Sequence, residues 1–354
     1  MCHSWVANLS NQSGKSPIVA ERYAHIRNPL FIVILSNTKV ATIPGLSGAG
    51  STPELIQYTP AADAEIISRG KLETMSVMPD APSGAITPAV LTRAGLELSQ
   101  SELLLINAGL EITPGVPYYD LKAESGKDAR YERAVKNPSA IMEASNKLAK
   151  KLDCDLAIIG ETLPGGTTTA MCVLRALGYS HNVSSSFSQN PTALKQQIAQ
   201  EMMTATSMDD SSLKDDPLMA IELFGDPMMP CALGLVRGFS SSGTEIMLAG
   251  GTQMGAVIAA LRALDDSIDV VLSTTKYVFD DSSAHLFKLV KALGVDAFSA
   301  YPDFSKSPVQ ALRKYEVGEV KEGVGAGGAM ALACMHGYDQ DDFRRRVEAV
   351  IMRL

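Results

Sequence analysis

Four short apolar runs decide what this chain can fold into: Leu30–Ser36 (LFIVILS), Leu103–Ile106, Leu156–Ile159 and Val270–Ser273. Runs of this length, rich in branched residues and without polar alternation, suit strands covered on both faces. Helical patterns separate them, over Asp63–Arg69, Pro88–Leu96, Ala140–Leu152 and Ser282–Leu293. Asp296–Ser299 reads as a last short strand, and the tail from Gly327 to Leu354 as helical. Strand and helix alternating in this way predict an α/β fold, a parallel sheet with helices on both faces. Such sheets bind ligands at the carboxyl ends of their strands, so the turns after strands are where a site belongs.

The turn after the third run carries the most chemistry. In Cys154–Leu174 (CDLAIIGETLPGGTTTAMCVL) the strand ends at Glu161, and Pro164, Gly165 and Gly166 break the chain. Thr167, Thr168 and Thr169 are expected to cap a helix starting near Ala170. A helix N-terminus offers unpaired N–H groups and partial positive charge, so an anion can sit there; an ordinary capped turn has the same sequence. After the first run, Gly45, Gly48 and Gly50 form a second flexible loop, with Thr52 and Pro53 as start signals for a helix over Glu54–Tyr58. Beyond the third run, Ser184, Ser185 and Ser186 fall in a loop, and Asn190 and Pro191 open a helix carrying Lys195. Lys195 reads either as a phosphate ligand or as a solvated lysine.

Elsewhere Leu218–Phe224 reads as a strand, and Ser240–Thr244 as caps for one long apolar helix reaching Leu264. Gly250, Gly251 and Gly255 would then be interior helix glycines, which cost about 1 kcal/mol each against alanine and imply close approach of a ligand or a helix. The segment Glu111–Val135 reads as a long loop that offers Tyr118, Tyr119 and Asp120.

Composition removes several classes of function. A net charge of -8 argues against a general nucleic-acid or anionic-membrane binder. No apolar run approaches the ~20 residues of a membrane span, and the polar stretch Met1–Asn28 lacks a cleavable apolar segment. The five cysteines, Cys2, Cys154, Cys172, Cys231 and Cys334, are scattered and form no pair motif, as expected of buried thiols in a reducing compartment. The histidines show no metal-ligand spacing, so no metal site is expected, and the cytoplasm is the expected location.

Two nucleotide motifs fail. Gly323, Gly325 and Gly328 in GVGAGG fit G-x-G-x-x-G, but the preceding YEVGEVKE is a poor strand and the chain ends soon after. An NAD-type oxidoreductase is therefore the weakest reading. No lysine follows Gly165–Gly166, so a P-loop is excluded too.

Three blocks carry a resemblance. IIGETLPGGTTTAMCVL resembles the GE-x-G-x-G-N-T-T block of nicotinate-nucleotide–dimethylbenzimidazole phosphoribosyltransferases. SGTEIMLAGGTQMGAVIAA is similar to their G-x-E-I-x-x-M-x-G segment, and EGVGAGGAMALA to their G-E-G-[ST]-G-A-A-L-A block. The blocks keep the family's order between Ile158 and Ala333, and the opening SNTKVATIPGLSGAGSTPELIQYTPAADAE resembles a divergent branch known mostly from archaea and cyanobacteria. The resemblance implies a Rossmann-like α/β domain over 30–325, with 1–29 and 326–354 forming a small helical part, usually in a homodimer. It implies transfer of phosphoribose from nicotinate mononucleotide to an acceptor base, with release of nicotinate and no cofactor, for the lower ligand of cobamides. Nicotinate mononucleotide and the base are the expected partners, with no nucleic acid and no membrane.

On that resemblance Glu161 is the carboxylate near the ribose. Gly165, Gly166, Thr167, Thr168, Thr169, Lys195, Gly250, Gly251, Gly323 and Gly325 are the substrate-binding positions. The family's general base is the glutamate of G-E-G-[ST]-G. Matched glycine for glycine it falls on Val324, which accepts no proton. Glu322, two residues earlier, reads either as a replacement base or as a surface charge. Two functions follow, an enzyme with an altered acceptor or a nucleotide-binding protein without turnover.

Overall fold

The computed structural model describes residues 5–9, 19–50, 52–74 and 78–354; Cys2, His3, Ile18 and part of the irregular Met75–Pro88 segment lie outside them. Eight strands form one sheet: β1 (Val6–Asn8), β2 (Pro29–Leu35), β3 (Glu102–Asn107), β4 (Tyr119–Asp120), β5 (Leu156–Thr162), β6 (Glu245–Ala249), β7 (Val271–Thr275) and β8 (Asp296–Ala300). Their spatial order is β1-β8-β7-β6-β5-β2-β3-β4. Every neighbouring pair is parallel except β1 with β8. The expected α/β class with helices on both faces is what the chain forms.

Alternation along the central strands explains why their sequences are uniformly apolar. Leu30, Ile32 and Ile34 of β2, with Ala157 and Ile159 of β5, face one core. Phe31, Val33 and Leu35, with Leu156 and Ile158, face the other. Both faces are covered, so no position is left for a polar residue. The chain runs from β2 outward to β3 and β4, then returns to β5 on β2's other side. The strand order therefore reverses between β2 and β5, and their carboxyl ends diverge into a crevice.

Several expected elements take another form. Leu218–Phe224 is not a strand but lies in the helix Pro217–Phe224, opened by Pro217 and capped by Asp216, whose carboxylate accepts from Met219 N. The stretch Ser240–Leu264 is not one helix. The helix Met228–Ser241 ends near Gly243, which takes φ 76°, and β6 and the helix Thr252–Leu264 follow. An unbroken apolar run hides this boundary, because a covered strand and a buried helix look alike in it. Gly250 and Gly251 thus sit in the turn after β6, and Gly255 alone is helical, against Leu289. Thr52 caps no helix: a 3-10 turn at Ile56–Tyr58 runs into the helix Thr59–Arg69. Thr167, Thr168 and Thr169 are not caps either. Gly165, at φ 80°, is the capping residue, and the threonines occupy the first turn of the helix Gly166–Ala176.

The GVGAGG stretch leads into the helix Ala326–Met335, which lies against the sheet. A Cβ on Gly327 would stand 2.5 Å from Thr274 Cα, and one on Gly328 2.5 Å from Ala249 Cβ. On β5, a Cβ at Gly160 would stand 2.7 Å from Gly325 Cα. These glycines let a helix and its leading loop touch the strands.

Candidate active site

A cleft opens where β2 and β5 diverge, enclosing about 670 Å³ between atoms, partly open to solvent. Ser47, Gly48 and Ala49 line it from the loop after β2, and Glu161, Thr162 and Leu163–Thr167 from β5 and its turn. Asp63 and Thr87 close one side, Ser185, Ser186 and Gln253 another, and Val320 with Glu322–Val324 the end.

Of the positions expected at a site, Glu161, Gly165, Gly166, Thr167, Glu322, Gly323 and Val324 line this cleft. The others stand outside its lining. Thr168 is fully buried, and the Thr169 hydroxyl donates to Asp226 Oδ2 at 2.6 Å. Gly250 is packed by Met254, and Gly251 by Val278. Gly325 is wedged between Gly160 and Phe31. Lys195 is not a solvated lysine: it is fully buried, and its Nζ donates to Thr167 Oγ1 at 2.9 Å and to Ser184 O at 2.5 Å. It stands behind the wall.

Glu161, Glu322 and Asp63 on the cleft, and Asp226 behind it against Thr169, are buried carboxyl groups that no salt bridge neutralises among the described residues. Burial, followed by the charges of Asp226, Glu322 and Asp63, pushes Glu161 up to about 8. Burial also pushes Glu322 up to about 8, against the N–H groups of Gly327, Gly323, Ala326 and Thr275. Asp226 rises to about 7 and Asp63 to about 6, each through burial. Asp63 is held by the hydroxyls of Thr87 (2.7 Å) and Thr162 (2.8 Å). Groups so arranged favour a cation or a developing positive charge at their centre, and perturbed carboxyls in a cleft mark a functional site.

The end wall changes the reading of Glu322 and Val324. Glu322 is no surface charge: Oε1 accepts from Gly327 N at 3.1 Å, and Oε2 is buried with no partner. Val324 is 2% exposed and packs in the apolar cluster on that sheet face. Its N–H donates to Glu161 O at 2.8 Å, and its carbonyl accepts from Thr92 Oγ1 at 2.8 Å. These bonds hold a valine at φ 56°, where branched residues are rare. Moved by two residues, the motif's E-G-[ST]-G-A falls on Glu322–Gly323–Val324–Gly325–Ala326 with valine at the [ST] position, while its leading glycine falls on Lys321 and its next A-L on Gly327 and Gly328. Matching glycine to glycine misses this, because the stretch holds more glycines than the motif.

Asp63, Thr162 and Gln253 line the cleft without being expected there from the sequence. Asp63 is one polar residue in a helix, and Thr162 and Gln253 fall inside two of the resembling blocks at positions to which the resemblance gives no role. Among the described residues no group of side chains is arranged to hold a metal ion, and no helix is long and apolar enough to cross a membrane.

No family model matches the chain. It is 48% identical over 329 residues to a UPF0284 protein of Methanosarcina acetivorans, covering 92% of this chain and 94% of that one. A UPF0284 protein of Thermococcus gammatolerans is 41% identical over 329 residues, 92% and 98% of the two chains. Among solved structures, CobT from Thermus thermophilus superposes with a TM-score of 0.61 at 12% identity, over 94% of this chain and 89% of that one. A second structure from the same organism, described as the nicotinate-nucleotide–dimethylbenzimidazole phosphoribosyltransferase, gives 0.60 at 12% identity, over 97% and 92%. At that identity the likeness is one of fold.

Proposed function

The chain belongs to the UPF0284 family and has the fold of CobT, and from that premise we propose that it is a phosphoribosyltransferase acting on nicotinate mononucleotide. The observation that carries the reading is Glu322 Oε2, a buried carboxyl oxygen without a partner, in one cleft with Glu161 and the Gly165–Thr167 turn. The turn suits the donor's phosphate. The pyridinium ring of the donor is cationic, and the ribose gains positive charge as its bond to the ring nitrogen lengthens. Glu161 is suited to stabilise that charge. The electron pair of the breaking bond leaves with nicotinate. The acceptor nitrogen forms the new bond to the ribose C1, and its proton passes to Glu322. A bound cation lowers both carboxyl pKa values, so the donor itself readies the base.

Binding without turnover rested on valine at 324; with Glu322 as the base it has no observation in its favour. The test is nicotinate release from nicotinate mononucleotide with benzimidazoles, purines and phenols as acceptors. Release is expected with at least one class, and Glu322→Gln is expected to slow it by about 10²–10⁴-fold. No release with any acceptor, or full activity in the variant, overturns the reading.

A further inference from the structure

Of the three carboxyl groups that line the cleft, Asp63 alone has no part in the transfer step. It sits inside the helix Thr59–Arg69 and is 2% exposed. Its two oxygens each accept one hydroxyl proton, Oδ1 from Thr87 and Oδ2 from Thr162, and no cationic side chain pairs with it among the described residues. Thr87 Oγ1 in turn accepts from Ala89 N at 3.2 Å. A third threonine of the lining, Thr59, gives its hydroxyl proton to Ala49 O at 3.2 Å. All three hydroxyl protons are therefore spent inside the protein. What Asp63 and these threonines can offer a ligand is lone pairs.

A buried carboxylate held by only two hydroxyls has acceptor capacity left over, and leaving that capacity unmet is costly. Burial lifts Asp63 to about 6, so at pH 7 the ionised form prevails and calls for donors. Its place in the cleft says which substrate brings them. Thr162 is the residue after Glu161, so one oxygen of Asp63 is tied to the end of β5. The other is tied to Thr87, and the next residue, Pro88, stands beside the loop of Glu322. A Cβ on Gly323 would lie 3.1 Å from Pro88 Cγ. Asp63 thus lies on the wall that joins the two reacting carboxyl groups. The segment 79–88 that carries Thr87 also adds Pro79, Ala81 and Pro88 to the lining, apolar surface for the face of a flat ring.

We propose that Asp63 selects the acceptor, and that the acceptor is a flat azole base bearing an amino group, of the aminopurine class, rather than an alkylated benzimidazole. The amino group supplies N–H donors to the lone pairs of Asp63 and its threonines. A methyl group in the same place fills the same space and leaves the carboxylate buried and unmet. A site built for a hydrogen bond rejects the analogue that lacks it. Asp63 touches the acceptor but takes no proton from it; that role stays with Glu322. As an assignment of the acceptor, this rests on the transferase reading. The preference for an amino over a methyl group at Asp63 does not.

The test is nicotinate release at pH 7 with two matched pairs of acceptors, adenine with 6-methylpurine and 2-aminopurine with 2-methylpurine. Each pair exchanges an amino for a methyl group. In at least one pair kcat/KM is expected to favour the amino member by about 10–100-fold. Asp63→Asn is expected to bring that ratio within about threefold and to leave the KM of nicotinate mononucleotide within about twofold. No preference in the wild-type protein, or a preference kept in the variant, overturns the proposal. So does a loss that falls on the KM of nicotinate mononucleotide with both members of a pair, which would place the donor's ribose at Asp63. A higher kcat/KM for dimethylbenzimidazole than for either amino base overturns it too. If Asp63→Asn does not fold, Thr87→Val, which removes the hydroxyl holding Oδ1, is expected to cut the ratio by about threefold or more, and an unchanged ratio has the same meaning there. If no acceptor yields nicotinate, the transferase reading fails separately. Calorimetry with the same purine pairs then decides: tighter binding of an amino member that is lost in Asp63→Asn supports selection by Asp63, and no binding, equal binding or a preference kept in the variant overturns it.

Discussion

Two glycine-rich stretches meet at the cleft, and past a shared kind of helix cap they use glycine for different reasons. In Leu163–Thr169, Gly165 takes φ 80° so that the chain can turn sharply into a helix. Beside it the nearest atoms to a Cβ on Gly166 would be the amide end of Gln253, a flexible group, and the side chain of Leu163. In Gly323–Gly328, Gly327 and Gly328 face Thr274 and Ala249 of the sheet, which cannot move aside. Gly325, at φ 71°, caps its helix as Gly165 does, and a Cβ on Gly165 would stand 2.8 Å from Ala41 N; the difference lies at the glycines that follow, Gly166 bordering the cleft and Gly327 and Gly328 removing space between a helix and strands. Each follows one carboxyl group of the cleft, Glu161 two residues before the first and Glu322 directly before the second.

The contrast can be broken by mutation. Val324→Glu puts an unpaired charge into an apolar cluster, and a loss of roughly 3–5 kcal/mol is expected in urea unfolding, with no gain of transfer to dimethylbenzimidazole. A gain would return the base to position 324. Gly327→Ala drives a methyl group into strand backbone, and a cost of about 2 kcal/mol is expected once alanine's better helix propensity is subtracted. Gly166→Ala is expected to cost under about 1 kcal/mol and yet weaken nicotinate mononucleotide, because the methyl group enters the cleft. Equal stability losses in the two alanine variants would erase the distinction.

The smallest effect is a pH slope. Glu161 and Glu322 titrate higher in the fold than in the unfolded chain, so between about pH 4.3 and 8 the folded state holds more protons. Their contribution to stability is complete below the unfolded value and is lost as pH rises through the folded one. Thermal unfolding of the ligand-free protein is expected to occur at lower temperature at pH 8 than at pH 5. Glu322→Gln is expected to flatten that trend by roughly 2–4 °C. An unchanged slope would mean that Glu322 is ionised in the empty cleft.

What the chain reveals before folding follows from which physics leaves a local trace. β2, β3, β5 and β7 are legible because strands covered on both faces must be apolar throughout. β6 is lost inside the long apolar stretch that ends at Leu264, where the same property erases the boundary. Glu161 and the Gly165–Gly166 turn are legible from their place after a strand. Lys195 is not, because burial of a lysine depends on Thr167 and Ser184, which are brought to it by other elements. Glu322 reads as a surface charge for the same reason: its neighbours in YEVGEVKE are polar, and only the packing of the next helix draws it inside.

Val324 N–H to Glu161 O spans a long stretch of sequence, and this bond has a temporal meaning. Residues near 48, 63, 161, 185, 253 and 322 must all converge before the cleft exists, so its contacts are among the most non-local in the fold. On the ribosome Glu322 emerges after the other carboxyl groups of the cleft. A nascent chain can build the glycine turn and the serine loop early, but it cannot hold both carboxyl groups until residue 322 has emerged. Competence therefore waits on the last of the converging segments.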